Sequence, residues 1–372
     1  MLGRWSRLSI LVMISEVHSS PQIFAIMKEF KNNNLKLEVI FFGTKTSPLF
    51  RDLMQLECNL ILKEPLSKSG IFRNSPFLFA HLMRNRPLTV LCSGFLVSAI
   101  AMPVSLIAGV PQRIYIRHHS NLHSKYHSIS GLIVDKLTAF TATKIVAVSK
   151  IVLDVVKSEL KSNARKVIQI SNGIDIEKFT QKAQGAIHRT QKNQSIIIGS
   201  IARQTDWKGI QWTAEAFAKL YSMNPNYRFH LVGAPANASD KIMQILAKID
   251  SDSYLINESI QNIANFYKSI DIFVHVPIGK SDEAFGLVYI EALASGVKCI
   301  FTKSGILNEI PEIEKYASIV DFENSDEIFE AILGISSQKL IRFQSLPDGI
   351  LEEYSLERMS KKYLQIVTNG KK

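Results

Sequence analysis

Short apolar runs alternate with longer segments of helical period along most of the chain, and this alternation restricts the fold more than any other feature. Residues 8–14 read as a strand, 21–31 as a helix and 37–42 as a second strand; farther on, 88–92 and 113–117 read as strands flanking a buried helix over 96–108. In the second half, strands are expected at 195–200, 227–232, 272–276 and 297–301, with the clearest helices at 210–221 and 262–268. Strand, crossover helix, strand is the pattern of parallel βαβ units, because parallel neighbours need a long connection. Both halves are therefore expected to be doubly wound α/β. A chain of 372 residues is too long for one ordinary core, which points to two lobes.

The boundary is expected in the polar, aperiodic stretch 181–194. It divides the chain into an N-terminal domain over 1–183, a C-terminal domain over 184–352 and a tail over 353–372, with a helix read at 354–367. Charge is unevenly placed. Residues 1–180 carry 23 Lys and Arg against 11 Asp and Glu, whereas 181–372 carry 21 against 22. A basic first half suits an anionic partner. Neither zinc-finger spacing nor a Lys/Arg-dense recognition helix is present, so a membrane surface is favoured over nucleic acid. Residues 87–112 lack any charge, but Gly94, Pro103 and Gly109 break the run, and it divides better into strand, helix and strand than into a membrane span. Cys58, Cys92 and Cys299 are too few and too scattered for a disulfide framework or a zinc site, which points to a reducing cytosol.

Ligands of open parallel sheets bind beyond the carboxyl ends of the strands, so the loops there are the first place to look. One such segment runs from Asp282 to Gly296 and holds Glu283 and Glu291 eight positions apart. Phe285, Gly286 and Leu287 form the loop before a helix that Gly296 closes. The free amides and partial positive charge of that helix start suit a diphosphate without a metal ion, and Gly286 lets the backbone approach closely. Asp250-Ser251-Asp252 matches an acidic metal-binding triplet in type, but it has no further ligand nearby and is read as surface; no metal is expected. His275, inside an apolar strand, reads as a buried core histidine.

The segment from Glu283 to Glu291 resembles the Glu-(seven residues)-Glu motif of the family-4 retaining glycosyltransferases. Other stretches agree. Gly199 to Gly209 is similar to that family's strand-end loop, in which an Arg and a Lys five residues apart hold the donor pyrophosphate; Arg203 and Lys208 have that spacing. Ser171-Asn172-Gly173-Ile174-Asp175 resembles the family's turn near the domain crossover, and Leu231-Val232-Gly233 its strand end beside the nucleotide. Ile114 to His119 resembles a strand followed by a histidine that contacts the donor sugar. Both His118 and His119 fit that place, and His118 follows the strand more directly. The family's Gly-Gly turn after the first strand is missing; Ser15 to Pro21 stands there instead.

The resemblance implies a GT-B fold: two Rossmann-like doubly wound domains facing a central cleft, with the C-terminal helix crossing back to the first domain. It also implies a metal-independent, retaining glycosyltransferase with a nucleotide diphosphate sugar as donor substrate and no cofactor. The acceptor would be a glycan or lipid-linked sugar in cell-surface polysaccharide synthesis. The catalytic set would be His118, His119, Arg203, Lys208 and Glu283, and the donor-binding set Gly233, Phe285, Gly286, Leu287 and Glu291. The expected location is cytoplasmic, peripheral on the inner membrane face, with the N-terminal domain against anionic lipid and no nucleic-acid partner. Alternatives of other classes are a sugar-nucleotide epimerase and a non-catalytic nucleotide-sugar-binding protein.

Overall fold

A computed structural model describes residues 6–15, 20–67, 70–120, 129–180, 195–337 and 346–369. The chain forms two compact units. The first is Met1–Ile174 together with Glu353–Lys372, and the second is Asp175–Glu352.

The first unit holds a parallel sheet of seven strands: β1 (Ser6–Ser15), β2 (Lys36–Phe42), β3 (Asn59–Lys63), β4 (Pro87–Ser93), β5 (Gln112–Arg117), β6 (Lys144–Ala147) and β7 (Val167–Gln169). Their order is β3-β2-β1-β4-β5-β6-β7, so the winding reverses between β1 and β4. β1 and β4 are central, and their apolar runs are buried on both faces: Leu11, Val12, Met13, Val90 and Leu91 have no exposed surface. That explains why these strands show continuous hydrophobicity rather than alternation. Helix Phe95–Ile107 includes Pro103 in its interior. Among the described residues no helix is long and apolar enough to cross a membrane.

The second unit repeats the plan with β8 (Ile196–Ile201), β9 (Tyr227–Val232), β10 (Tyr254–Asn257), β11 (Ile272–His275), β12 (Lys298–Phe301) and β13 (Ser318–Ile319), in the order β10-β9-β8-β11-β12-β13. Here the reversal lies between β8 and β11, where Ile272 pairs with Ile198 and Phe273 with Gly199. Phe217, Phe229 and Leu231 anchor the core on one side of this sheet.

The last helix, Leu356–Thr368, belongs to the first unit. Ser355 caps it by accepting from the Arg358 amide at 3.1 Å, and Met359, Tyr363 and Val367 are its buried face. It packs on helix Pro21–Asn32, and Gln112 Nε2 donates to the Ile366 carbonyl at 2.6 Å. The chain is stapled to itself where it re-enters: Ile174 donates to the Tyr354 carbonyl at 2.8 Å, and Leu356 donates to that of Ile174 at 3.0 Å. The second unit opens at Asp175 rather than at 184, because the short helix Ile176–Thr180 packs on helix Leu287–Ser295 of that unit. The expected linker at 181–194 lies outside the described residues.

Candidate active site

The winding reversal at β8 and β11 brings together two loops that are far apart in sequence. After β8 the chain passes Arg203 and makes a 3-10 turn at Asp206–Lys208, in which the Lys208 amide donates to the Thr205 carbonyl at 2.9 Å. The Ile278 amide donates to the Trp207 carbonyl at 3.2 Å and ties this turn to the segment leaving β11. Gly209 follows in the left-handed region, with φ 71°, and starts helix Ile210–Met223.

Across from it, Lys208 Nζ donates to Glu283 Oε1, and the same oxygen accepts from His275 Nε2 at 2.8 Å. Glu283 is held from behind as well, since its amide donates to Ser304 Oγ at 3.2 Å. Burial raises the carboxyl's pKa, but the Lys208 charge and the bonds from His275 and Lys208 outweigh it and hold Glu283 at about 2. Burial likewise lowers the pKa of His275, more than the bond to Glu283 raises it, so the ring is neutral with its proton on Nε2. Its Nδ1 is buried without a hydrogen-bond partner among the described residues. His275 thus lies in the core, as the strand pattern suggests, and also touches the key carboxylate, which the pattern does not reveal.

Helix Leu287–Ser295 has its N-cap at Gly286, two residues after Ala284, with φ 83°. A β-carbon there would come within 2.5 Å of the Tyr289 ring, so both conformation and space call for glycine. The first amides of an α-helix have no intrahelical acceptor, and here they follow directly on the Lys208–Glu283 pair. Phe285 is buried beneath the turn, and Leu287 is half-buried at the helix start.

Gly233, just past β9, packs on the β8 loop so closely that a β-carbon would stand 1.8 Å from the Ala202 carbonyl oxygen and 3.2 Å from the Arg203 nitrogen. Gln204 Nε2 fixes this approach by donating to the Gly233 carbonyl at 2.9 Å. Arg203 itself is exposed.

Glu291, one turn into the helix, accepts from the Tyr267 hydroxyl at 3.1 Å. Burial pushes its carboxyl up to about 7, against the pull of the Tyr267 bond and the Lys178 charge. An acid with a folded pKa above its ordinary 4.5 binds its proton more tightly when folded, so its contribution is most favourable below 4.5 and is lost as the pH rises through 7. The span corresponds to about 3 kcal/mol. Glu291→Gln keeps an acceptor for Tyr267 and is expected to be more stable than the wild type near pH 8 but no different near pH 4. Urea midpoints at the two pH values check this, and an equal gap at both would contradict it.

In the first unit, the loop after β5 carries the two histidines. His118 is exposed, with Nε2 3.0 Å from Ser93 Oγ at the end of β4. His119 turns inward: Nε2 is 3.5 Å from both Asp135 Oδ2 and the Tyr115 hydroxyl, and its ring meets Phe95 edge-on at 6.0 Å. A buried ionic cluster holds the turn. Arg117 is 1% exposed and donates to both Glu159 oxygens at 2.6 and 3.0 Å, to the His119 carbonyl at 3.2 Å and to that of Ser120 at 3.3 Å, with Asp135 Oδ2 3.3 Å away. Sequence patterns do not reveal the cluster, although an arginine closing the apolar strand Ile114-Tyr115-Ile116 and an acid, Asp135, directly after Leu132-Ile133-Val134 are signals of it. Ser15, Phe42, Pro65, Leu66, Phe95 and Leu96 line a cleft of about 260 Å³ beside the β1/β4 reversal.

His18 and the rest of the loop after β1, residues 16–19, lie outside the described residues. Asp250 caps a 3-10 turn at Ser251–Ser253 on the surface, as the reading of that triplet expects. Among the described residues no group of three or more His, Cys, Asp or Glu side chains is arranged to hold a metal ion.

Residues 184–344 match the family Glycosyl transferases group 1. Among curated proteins, the chain is similar to D-inositol 3-phosphate glycosyltransferase of Corynebacterium jeikeium, 24% identical over 174 residues, which are 43% of this chain and 41% of that one. It is also similar to UDP-Gal:alpha-D-GlcNAc-diphosphoundecaprenol alpha-1,3-galactosyltransferase of Escherichia coli, 21% identical over 279 residues and 71% of each chain. The matched stretch spans about half the length of the two corynebacterial relatives, 41% and 51%. Among solved structures, HepE of Anabaena in complex with UDP and glucose superposes with a TM-score of 0.80 at 16% identity, over 97% of this chain and 100% of that one. The fold and the family match meet in the same unit, the one that holds Lys208, Glu283 and the Leu287 helix. Residues 184–344 are thus similar to the glycosyl transferases group 1, and the fold of the chain is GT-B.

Proposed function

We propose that the protein transfers a sugar from a nucleoside diphosphate to a glycan or lipid-linked acceptor, keeping the anomeric configuration and using no metal ion. The observation that carries this reading is the Lys208–Glu283 pair set at the start of helix Leu287–Ser295, at the winding reversal of the second sheet. Such a reversal is where open α/β sheets bind nucleotides. Bond cleavage leaves negative charge on the departing diphosphate. The Lys208 ammonium, the Arg203 guanidinium and the helix-start amides are the fixed positive groups that stabilise it, so that the task of a metal ion falls to the protein.

Glu283 is ionised at any working pH and accepts hydroxyls of the donor sugar while keeping Lys208 in place. Glu291 takes the ribose hydroxyls, and the close approach of Gly233 to the β8 loop leaves room for the nucleotide beside it. The histidine role implied by the family resemblance goes to His118, whose ring meets Ser93 at the end of β4, rather than to His119, which is turned onto Asp135. The HepE structure contains UDP and glucose, which makes UDP-sugars the first donors to try. The Escherichia coli relative acts on a diphosphoundecaprenol-linked sugar, which favours a lipid-linked acceptor at the cytoplasmic membrane face.

The test is product analysis. With a nucleoside diphosphate sugar, a lipid-linked glycan and excess EDTA, the new glycosidic bond should have the donor's anomeric configuration by NMR. An epimerised donor in the absence of any acceptor would overturn the reading in favour of an epimerase, and an inverted bond would overturn the retaining mechanism.

A further inference from the structure

The helix Ile129–Thr141 in the first unit is amphipathic the wrong way round for a globular protein. Its inward face is Gly131, Asp135, Thr138, Ala139 and Thr141, all buried. Its outward face carries Ile129, Ile133, Leu137 and Phe140, which are 75%, 62%, 50% and 65% exposed, with Leu132 at 38%. The spacing of these residues, three and four apart, makes one continuous stripe along the helix. Helix Phe95–Ile107 packs alongside and ends in two further exposed apolar residues, Leu106 and Ile107. A contiguous apolar face of this kind on a soluble chain marks a contact surface.

We propose that this face docks on an anionic lipid surface. The choice of occupant draws on the lipid-linked acceptor proposed above, and it stands as well on the charges around the stripe. From residue 129 to 167 the charges that are not buried are cationic in excess: Lys136 on the stripe itself, then Lys144, Lys150, Lys157, Lys161, Arg165 and Lys166, against Asp154 and Glu159. Glu159 is paired with Arg117, and Asp135 is buried against the same guanidinium. Lys166 lies 5.9 Å from the Phe140 ring and donates to the Phe140 carbonyl at 3.0 Å, placing an ammonium at the edge of the apolar stripe. Aliphatic and aromatic side chains flanked by lysines are what an interfacial helix presents to lipid, with the long lysine stems reaching to headgroups. A two-fold self-association through the same face would bring two surfaces with the same cationic excess together, which disfavours a second chain as the occupant.

The test is co-sedimentation of the full-length protein with vesicles of phosphatidylcholine alone or of phosphatidylcholine and phosphatidylglycerol in equal parts. Binding should require the anionic lipid and weaken with salt. Ile133→Ser with Leu137→Ser should lower the partition coefficient about tenfold or more, and Lys136→Glu should lower it further, with melting temperatures unchanged because these side chains support no core. Met223→Ser, at an exposed apolar site in the second unit, should bind as the wild type does. Three results would each overturn the proposal: no wild-type binding to the anionic vesicles, unchanged binding of the double serine variant, or a wild-type dimer that this variant dissociates. Transfer to a water-soluble acceptor is measured in parallel and should be the same for the wild type and all three variants, so a failed docking surface is told apart from a failed transferase assignment.

Discussion

Lys208→Met is expected to lower the turnover of sugar transfer by about 10²–10³, equivalent to roughly 3–4 kcal/mol of lost transition-state stabilisation. The reason lies in what the ammonium touches. It is 18% exposed and bonded to a carboxylate held at about 2, which lies four residues before helix Leu287–Ser295. Removing it takes away a cation from the departing diphosphate and also leaves Glu283 with burial opposed only by His275. The two effects share one carboxylate, so Lys208→Met and Glu283→Gln should not add: the double variant should fall well short of the product of the single losses. Steady-state kinetics of the four proteins read this directly, and full additivity would show that the pair does not act as a unit.

The largest effect on stability is expected at Arg117, in the first unit. Arg117→Met would leave Asp135 and Glu159 facing each other's surroundings without the cation that both now contact. Breaking a buried ion pair by removing one partner costs about 3–5 kcal/mol, which for a unit of this size is a fall of roughly 10 °C in melting temperature. Replacing the whole cluster, with Asp135→Asn and Glu159→Gln added, should recover much of the loss, because no uncompensated charge then remains. Calorimetric melting of the single and triple variants is the check; a single variant as stable as the wild type would mean that the cluster is solvated.

The architecture was readable because parallel strands buried on both faces announce themselves as continuous apolar runs, as in Ile10 to Ile14 and Ile272 to Val274. One helix start was readable for a similar local reason: Gly286 sits where a left-handed residue must precede the helix, whereas Ser355, inside the expected helix 354–367, is the cap of a helix that starts at Leu356. What could not be read is what the sheet order creates. Lys208 and Glu283 are neighbours only because the winding reverses between β8 and β11, and no local pattern relates one to the other. The same holds for Arg117 and Glu159. Helix Ile129–Thr141 shows a subtler limit. Periodicity alone would turn Leu132, Ile133, Leu137 and Phe140 into the core, but Asp135 has a buried cation to meet, and its partner Arg117 draws the polar face inward instead.

The central claim is a metal-free cradle of protein cations and helix amides for a diphosphate. Calorimetric titration of UDP, GDP and ADP into the protein in excess EDTA tests it most directly, with the Arg203→Ala, Lys208→Met double variant beside the wild type. At least one nucleotide should bind the wild type without any divalent ion and should bind the double variant about tenfold or more weakly. Nucleotide binding that appears only when a divalent ion is added, or that survives unchanged in the double variant, would contradict the account.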